Sequence, residues 1–389
     1  MATHLAAVSL AKGEPFELQA RTTPKPGPGE LLIEVKSVAL NPADGLMRQG
    51  LFIPTYPAVI GFDISGLVLE VGDNVPVCAI DEGSGPFFRR GITRVAAYAA
   101  FFFKSWNPDY GAFQEKCLVP WQHAVPLPDE GLSWNQAATL PVAVEVPLNA
   151  WDILGIPRKR EIATSSSVHA VPTGTDVSGG SGEDQKQKRE ALLIWGASSS
   201  VGTMGVQSAR LLREDDGSTI AAVYATAGAA NLNYVGTLGA DRVFDYKETQ
   251  VVDAIVSAAR EDGLAIRHCF LAKGQLASCQ SVLKAFLGND ELRKNQKAKI
   301  GSAPPVPSDA EDVDGVEAIF VLPSTNEDER LAQFRYWLGT WLRENLVNEA
   351  IRPSPEVRVV GKGLGAINAG LDLLLQGVSC TKLVVEISE

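Results

Sequence analysis

Ala191-Leu192-Leu193-Ile194-Trp195-Gly196-Ala197-Ser198-Ser199-Ser200-Val201-Gly202-Thr203-Met204-Gly205 is the stretch from which the rest of the sequence can be read. Ala191 to Trp195 is uninterruptedly apolar, the pattern of a short strand buried on both faces. Ser198 to Gly202 is a turn of small residues. Val201, Met204, Gly205, Ser208, Leu211 and Leu212 then recur at helical spacing, with small side chains on the strand-facing side. A strand, a tight turn and a helix in this order build a phosphate site. The helix N-terminus presents free N–H groups and a partial positive charge. The turn departs from G-x-G-x-x-G because serines stand where glycines are usual. A serine still lets a phosphate approach and adds a hydroxyl donor. Ser199, Ser200, Val201 and Gly202 are the expected contacts to the pyrophosphate of a dinucleotide.

Downstream, strands and helices alternate. Ile220 to Thr226 reads as a second strand, Asn231 to Leu238 as a helix ended by Gly239, and Arg242 to Tyr246 as a third strand. Val251 to Arg260 reads as a further helix. Asn289 to Gly315 is polar and contains Pro304-Pro305-Val306-Pro307. Val316 to Leu322 returns as a strand and Asp328 to Asn345 as a long amphipathic helix with Trp337 and Trp341. Ile367 to Gln376 is a short helix and Lys382 to Ile387 a closing strand. This alternation predicts a doubly wound parallel sheet. The second strand ends in Ala225-Thr226-Ala227-Gly228, without the acid that holds a ribose 2′-hydroxyl in NAD enzymes. That favours NADP(H).

Upstream the pattern differs. Leu31 to Val38, Ile64 to Val71, Arg94 to Ala99 and Phe113 to Val119 read as strands separated by Gly and Pro, an all-β pattern that predicts a barrel. Pro157 to Arg189, rich in Ser, Gly and charged residues, cannot build a core and reads as a flexible loop at the seam of two domains.

The net charge of −11 repels phosphate backbones, so nucleic acid is not an expected partner. The five cysteines are scattered without a C-x-x-C, which argues against a disulfide framework or a zinc ribbon. The longest apolar run, Val95 to Phe103, is too short for a bilayer, and no signal peptide is apparent. A cytoplasmic protein without membrane association is expected. His4, His123, His169 and His268 lack motif context and read as structural or exposed.

Further stretches carry a resemblance. They are Pro28-Gly29-Glu30-Leu31-Leu32-Ile33, Asn41-Pro42-Ala43-Asp44, Tyr56 to Gly66, Pro108 to Phe113, Ala137-Ala138-Thr139-Leu140-Pro141, the serine-rich turn, Leu238-Gly239-Ala240-Asp241 and Lys382-Leu383-Val384-Val385. In this order the chain resembles a zinc-free medium-chain dehydrogenase/reductase, closest to the fungal trans-acting enoyl reductases, with quinone oxidoreductases as cousins. The resemblance implies an α/β protein in which a GroES-like β-barrel catalytic domain joins a doubly wound Rossmann domain. Residues 1–150, completed by 343–389, would form the first, and 151–342 the second. It implies NADPH-dependent reduction of an activated C=C bond, in a carrier-bound acyl chain of polyketide type or a small enone, with a polyketide synthase as partner. A quinone or enone reductase acting on free small molecules, or a catalytically weak cofactor-binding subunit, are the alternatives.

The resemblance also suggests roles. Asn41 and Asp44 match a pair that lines the nicotinamide cleft, although the same residues also suit a plain turn with an Asx cap. Tyr246 matches a tyrosine that packs near the adenosine phosphate. Zinc-containing members carry Cys where this chain has Asn41 and His-Glu where it has Phe62-Asp63, and Phe62 cannot ligate a metal. The chain departs from its relatives elsewhere. Phe52 and Leu46 stand where tyrosines occur, Asn231 replaces a lysine, and Val144-Glu145-Val146-Pro147 displaces a threonine. With no tyrosine at those positions, water or a nonessential side chain is the expected source of the proton in a reduction. Elemental analysis of the purified chain is expected to find no stoichiometric zinc, and one tightly held Zn²⁺ per chain would contradict this reading.

Overall fold

Thr3–Val8 (β1) and Glu17–Thr22 (β2) pair antiparallel and start the chain's first strand system. In the computed structural model, residues 2–77, 85–156, 190–214, 218–288 and 297–388 are described. The flexible loop expected at 157–189 lies outside them. Glu30–Ala39 (β3) is the spine of a second sheet, with Leu31, Ile33, Val35 and Val38 buried. After the short helix Pro42–Arg48 (α1) come Asp63–Val71 (β4), Arg94–Tyr98 (β5), Lys116–Pro120 (β6) and Ala124–Pro126 (β7). β4 and β6 pair with β3, β5 with β4 and β7 with β5, all antiparallel.

The first 150 residues are not purely β. Besides α1 they contain the helices Trp134–Ala138 (α2) and Pro141–Leu154 (α3). α3 was hidden by its own sequence. Pro147 and three valines in Pro141 to Pro147 read as strand or breaker, and burial on many sides leaves no single apolar stripe. It stops at Gly155, whose left-handed conformation (φ +73°) closes the last turn.

The second system begins at Glu190–Trp195 (β8), buried at every position, followed by Ser200–Glu214 (α4) and Ile220–Ala227 (β9). Leu232–Thr237 (α5), Arg242–Asp245 (β10), Val251–Glu261 (α6), Ala265–Leu271 (β11), Leu276–Lys284 (α7), Ala298–Ser302 (β12) and Val316–Phe320 (β13) complete it. The strands form a parallel sheet in the order β10-β9-β8-β11-β12-β13. Connections leave β8 in opposite directions, so the crevice for a ligand lies beyond its carboxyl end. β11 and α7 gave no separate signal in the sequence, and β12 lies inside the polar stretch 289–315.

The long helix expected near 328–345 is a continuous helical span: Glu327–Phe334 (α8), a π-helical segment Arg335–Leu342, and Arg343–Val347 (α9). Glu356–Lys362 (β14), Ala366–Gln376 (α10) and Thr381–Glu386 (β15) end the chain. β15 pairs antiparallel with β3 and parallel with β14, so the C-terminus completes the N-terminal sheet. The division into residues 1–150 with 343–389 and residues 151–342 is our proposal, and its second boundary falls within the helical span 327–347. α3 runs unbroken through the first boundary and packs on α4 beyond it. Among the described residues no helix is long and apolar enough to cross a membrane.

Close packing behind the turn depends on Gly205. A Cβ there would stand 3.0 and 3.1 Å from ring atoms of Phe270. Trp151 packs edge-on against the same ring and donates from Nε1 to Ser208 Oγ at 3.1 Å. Gly205→Val is therefore expected to cost about 1–3 kcal/mol through overpacking. Urea denaturation checks it, and an unchanged midpoint would mean that α4 moves off the sheet freely.

Candidate active site

The turn after β8 is shaped by two glycines. Gly196 has φ +79°, and a Cβ on it would meet Lys273 O at 2.3 Å. A Cβ on Gly202 would meet Gly196 O at 2.4 Å. Gly196 N–H donates to Thr226 Oγ1 at 3.0 Å and Ala197 N–H to Thr226 O at 2.8 Å, which ties the turn to the end of β9. Ser199 is the N-cap of α4. Its hydroxyl donates to Gly196 O at 2.8 Å and accepts from Gly202 N–H at 3.2 Å. Ser199 and Gly202 thus spend these groups inside the turn. Ser200 differs: its hydroxyl is buried and has no partner among the described residues. Together with the N–H groups of Ser200 and Val201, which helix geometry leaves unpaired, it forms a donor set for an anion.

Tyr246, just past β10, is 45% exposed, and its ring lies beside Gly228 at the end of β9. Asn231 donates from Nδ2 to Ser379 Oγ at 3.0 Å, which links this region to the C-terminal segment. Lys247 N–H donates to Asp245 Oδ1.

The residues singled out upstream belong to a separate, buried polar cluster. Asn41 does not cap α1 with its side chain. Nδ2 donates to Asp63 Oδ2 at 2.9 Å, and Oδ1 accepts from Lys382 Nζ at 2.6 Å. Lys382 also pairs with Asp63 Oδ2 at 3.1 Å, and Val142 N–H donates to Asp63 Oδ1 at 2.8 Å. Asp44, at the third position of α1, reaches back to the N-cap: its Oδ2 accepts Asn41 N–H at 2.7 Å. Its Oδ1 is buried without a partner among the described residues. Glu145, on α3, is buried and accepts from Asn149 Nδ2 at 3.2 Å.

Electrostatics follow from this geometry. Burial pushes the Asp44 carboxyl up to about 7, and the nearby Asp63 charge adds to the shift. Burial and Asp63 push Glu145 up to about 8 against the opposing bond from Asn149. Tyr98 is held as a phenol by burial and by Glu145, Asp63 and Asp44. Sequence reading named Asn41 and Asp44 but missed Asp63, Lys382 and Glu145 as site residues. Their signals were Phe62-Asp63 at the metal positions of relatives, the motif Lys382 to Val385, and the displaced threonine.

The described histidines are held by structural contacts. His4 bonds Thr23 and Gln114, and His268 bonds Glu190. His123 stacks on Phe334 with ring centroids 3.8 Å apart. His169 lies outside the described residues. The described residues hold no cluster of three His, Cys, Asp or Glu poised for a metal ion.

Comparison with known proteins agrees with this architecture. Residues 27–129 match the alcohol dehydrogenase GroES-like domain. The trans-enoyl reductase tndF of Aspergillus flavipes is 39% identical, over 98% of either chain. The trans-enoyl reductase tazE of Aspergillus terreus is 38% identical, over 84% of this chain and 94% of its own. In fold, the chain is similar to the quinone oxidoreductase of Coxiella burnetii (TM-score 0.62, 18% identity, 99% of this chain and 100% of that one). It is also similar to an alcohol dehydrogenase superfamily protein of Novosphingobium aromaticivorans (TM-score 0.69, 20% identity, the same coverage).

Asp44 and Glu145 bind protons more tightly folded than unfolded. The stability they contribute is complete below the ordinary carboxylate range and is lost as pH rises through about 7 and about 8. The unfolding free energy from urea titrations is expected to fall between about pH 4 and 8 and to level off above that, by up to about 1.4 kcal/mol per pH unit for each differing proton. The double variant Asp44→Asn/Glu145→Gln should flatten that fall, and an equally steep profile would place the titration elsewhere.

Proposed function

The chain belongs to the medium-chain dehydrogenase/reductase family, in its fungal trans-enoyl reductase branch, and from that premise we propose that it reduces the C=C bond of an enoyl thioester with NADPH and without a metal ion. It is an oxidoreductase of a family that uses a nicotinamide cofactor. The observation that carries the proposal is the buried Ser200 hydroxyl without a partner, at the N-terminus of α4 and beyond the strand where the sheet order reverses.

A reduced nicotinamide dinucleotide bound there supplies the hydride. Ser200 and Val201 hold its pyrophosphate, and Ser199 and Gly202 fix the turn that presents them. No carboxylate stands at Ala227 or Gly228 to repel a 2′-phosphate, and Tyr246 offers a ring beside that strand end. Asn41 and Asp44 act behind the nicotinamide end of the cleft by holding the position of α1. Phe62 cannot ligate a metal, and Asp63 Oδ2 and Asn41 Oδ1 already accept the Lys382 ammonium. A conjugated carbonyl accepts charge without a Lewis acid. The partner we propose is a polyketide synthase that presents the carrier-bound acyl chain.

NADPH oxidation with a crotonyl thioester of N-acetylcysteamine tests this reading. The wild-type chain is expected to turn over, with NADPH preferred to NADH. Ser200→Asp should weaken NADPH binding about tenfold or more, because a charge-assisted contact of about 1.5–3 kcal/mol becomes a repulsion. Asn41→Ala should lose most activity. NADPH fluorescence without turnover of any enoyl thioester, enone or quinone would instead identify a cofactor-binding subunit.

A further inference from the structure

The carboxyl end of β9 is where the adenosine ribose of a dinucleotide falls when its pyrophosphate sits over the turn between β8 and α4. Three other stretches of chain meet that strand end. The serine-rich turn is tied to Thr226 by the N–H groups of Gly196 and Ala197. Tyr246 N–H donates to Ala227 O at 3.2 Å, and the Tyr246 ring lies beside Gly228. Asn231 follows β9 directly, and its N–H donates back to Gly228 O at 2.8 Å. The third stretch arrives from 148 residues further along the chain: in the turn 377–380, between α10 and β15, Ser379 Oγ accepts from Asn231 Nδ2 at 3.0 Å.

That turn is fixed from both sides. Gly377 (φ +93°) lets the chain leave α10, and Cys380 takes a left-handed φ of +49° that a residue with a side chain rarely adopts. Thr381 Oγ1 donates to Ser379 O at 2.9 Å, and Lys382, three residues past Ser379, is held by Asn41 and Asp63. Strained backbone of this kind persists where its surroundings over-determine it, and it collects at ligand clamps. Ser379 is exposed and Asn231 half-buried, so a ligand can reach both. The Ser379 oxygen accepts from Asn231, and its own O–H has no acceptor among the described residues. Asn231 keeps a second hydrogen on Nδ2. Two donors thus stand side by side just past β9. Glu356, paired with Thr381, and Arg352, which donates to Thr237, act on the intervening Tyr234 with opposite sign, so the pair adds no net negative field there.

We propose that Ser379 is a cofactor-specificity residue: together with Asn231 it donates to the 2′-phosphate on the adenosine ribose of NADPH, an assignment that rests on the NADPH reading and deepens it. The end of β9 permits a 2′-phosphate because no carboxylate stands at Ala227 or Gly228. Ser379 and Asn231 add the positive preference. A hydrogen bond to a phosphate is charge-assisted, whereas a 2′-hydroxyl offers neither the charge nor the reach. Ser379 belongs to the segment that carries Lys382, so the cofactor joins the parallel sheet to β15 and the first sheet. A merely structural Ser379 would brace its turn alike for either dinucleotide.

Ser379→Ala removes one exposed hydroxyl, and the variant is expected to keep the wild-type urea midpoint. In fluorescence titrations its NADPH dissociation constant should rise about tenfold, the loss of one hydrogen bond to a charged group, while that for NADH stays unchanged. Ser379→Asp, which sets a carboxylate against the phosphate, should turn the preference toward NADH. Calorimetry with adenosine 2′,5′-bisphosphate and with 5′-AMP isolates the same contact. The wild-type chain should bind the bisphosphate more tightly, and Ser379→Ala should narrow that gap about tenfold. If Ser379→Ala weakens both dinucleotides equally, or neither, or if Ser379→Asp leaves their ratio unchanged, the assignment is overturned. If the wild type binds NADH as tightly as NADPH, the NADPH reading itself fails and the assignment with it.

Discussion

The carboxylate of Asp63 is the point on which the assembly hangs. It is fully buried, and its two oxygens gather donors from three other parts of the chain: Asn41 before α1, Val142 at the start of α3, and Lys382 on β15. A buried carboxylate is costly unless its lone pairs are met and its charge is compensated. The cost therefore forces four separate segments into one place. β15 brings the last described residues back to β3, and α3 packs on α4, the helix that follows the serine-rich turn. Removing one partner from such a pair is worth about 3–5 kcal/mol, far more than an exposed ion pair. Neither Asp63 nor Lys382 is dispensable to the geometry around them.

The same arrangement sets the proton inventory. One ammonium can compensate one carboxylate, and it serves Asp63. Asp44 and Glu145 share that interior without a cation of their own, so burial keeps protons on them far above the ordinary carboxylate range. The two differ in surroundings. Asp44 holds the backbone of Asn41 and so belongs to the turn, whereas Glu145 meets only the amide of Asn149. A structural requirement at Asp63 thus produces, as a by-product, acids poised near neutrality.

Local features of the fold were legible in the sequence, and distant ones were not. The run from Ala191 to Gly205 declares strand, turn and helix because each signal lies within a few residues. The closing strand near Lys382 to Ile387 was also readable, but its pairing with β3 depends on the whole topology. α3 was missed because Pro141, Pro147 and the valines between them speak locally against a helix, while packing against α4 and the first sheet decides for one. β12 was missed because five residues in a polar stretch acquire strand character only beside β11. Asn41 and Asp44 were singled out, but not the direction of their side chains, since Asp63 and Lys382 lie 22 and 341 residues from Asn41. The serine pair shows a finer limit. Ser199 and Ser200 look equivalent in sequence, yet one closes the turn and the hydroxyl of the other is buried without a partner among the described residues.

Lys382 also bears on the choice of chemistry. Zinc-containing members of the family place Cys and His where this chain has Asn41 and Phe62. Here the cation near those positions is an ammonium held by Asn41 and Asp63. An ammonium can donate hydrogen bonds, but it has no empty orbital to take an alkoxide oxygen, which is the work a metal does in alcohol oxidation. A site of this kind suits a substrate that carries its own electron sink. In an enoyl thioester the carbonyl accepts the charge from the β-carbon through conjugation. Asn41 and Asp63 at the positions of metal ligands and the buried Lys382 ammonium between them thus form one consistent set.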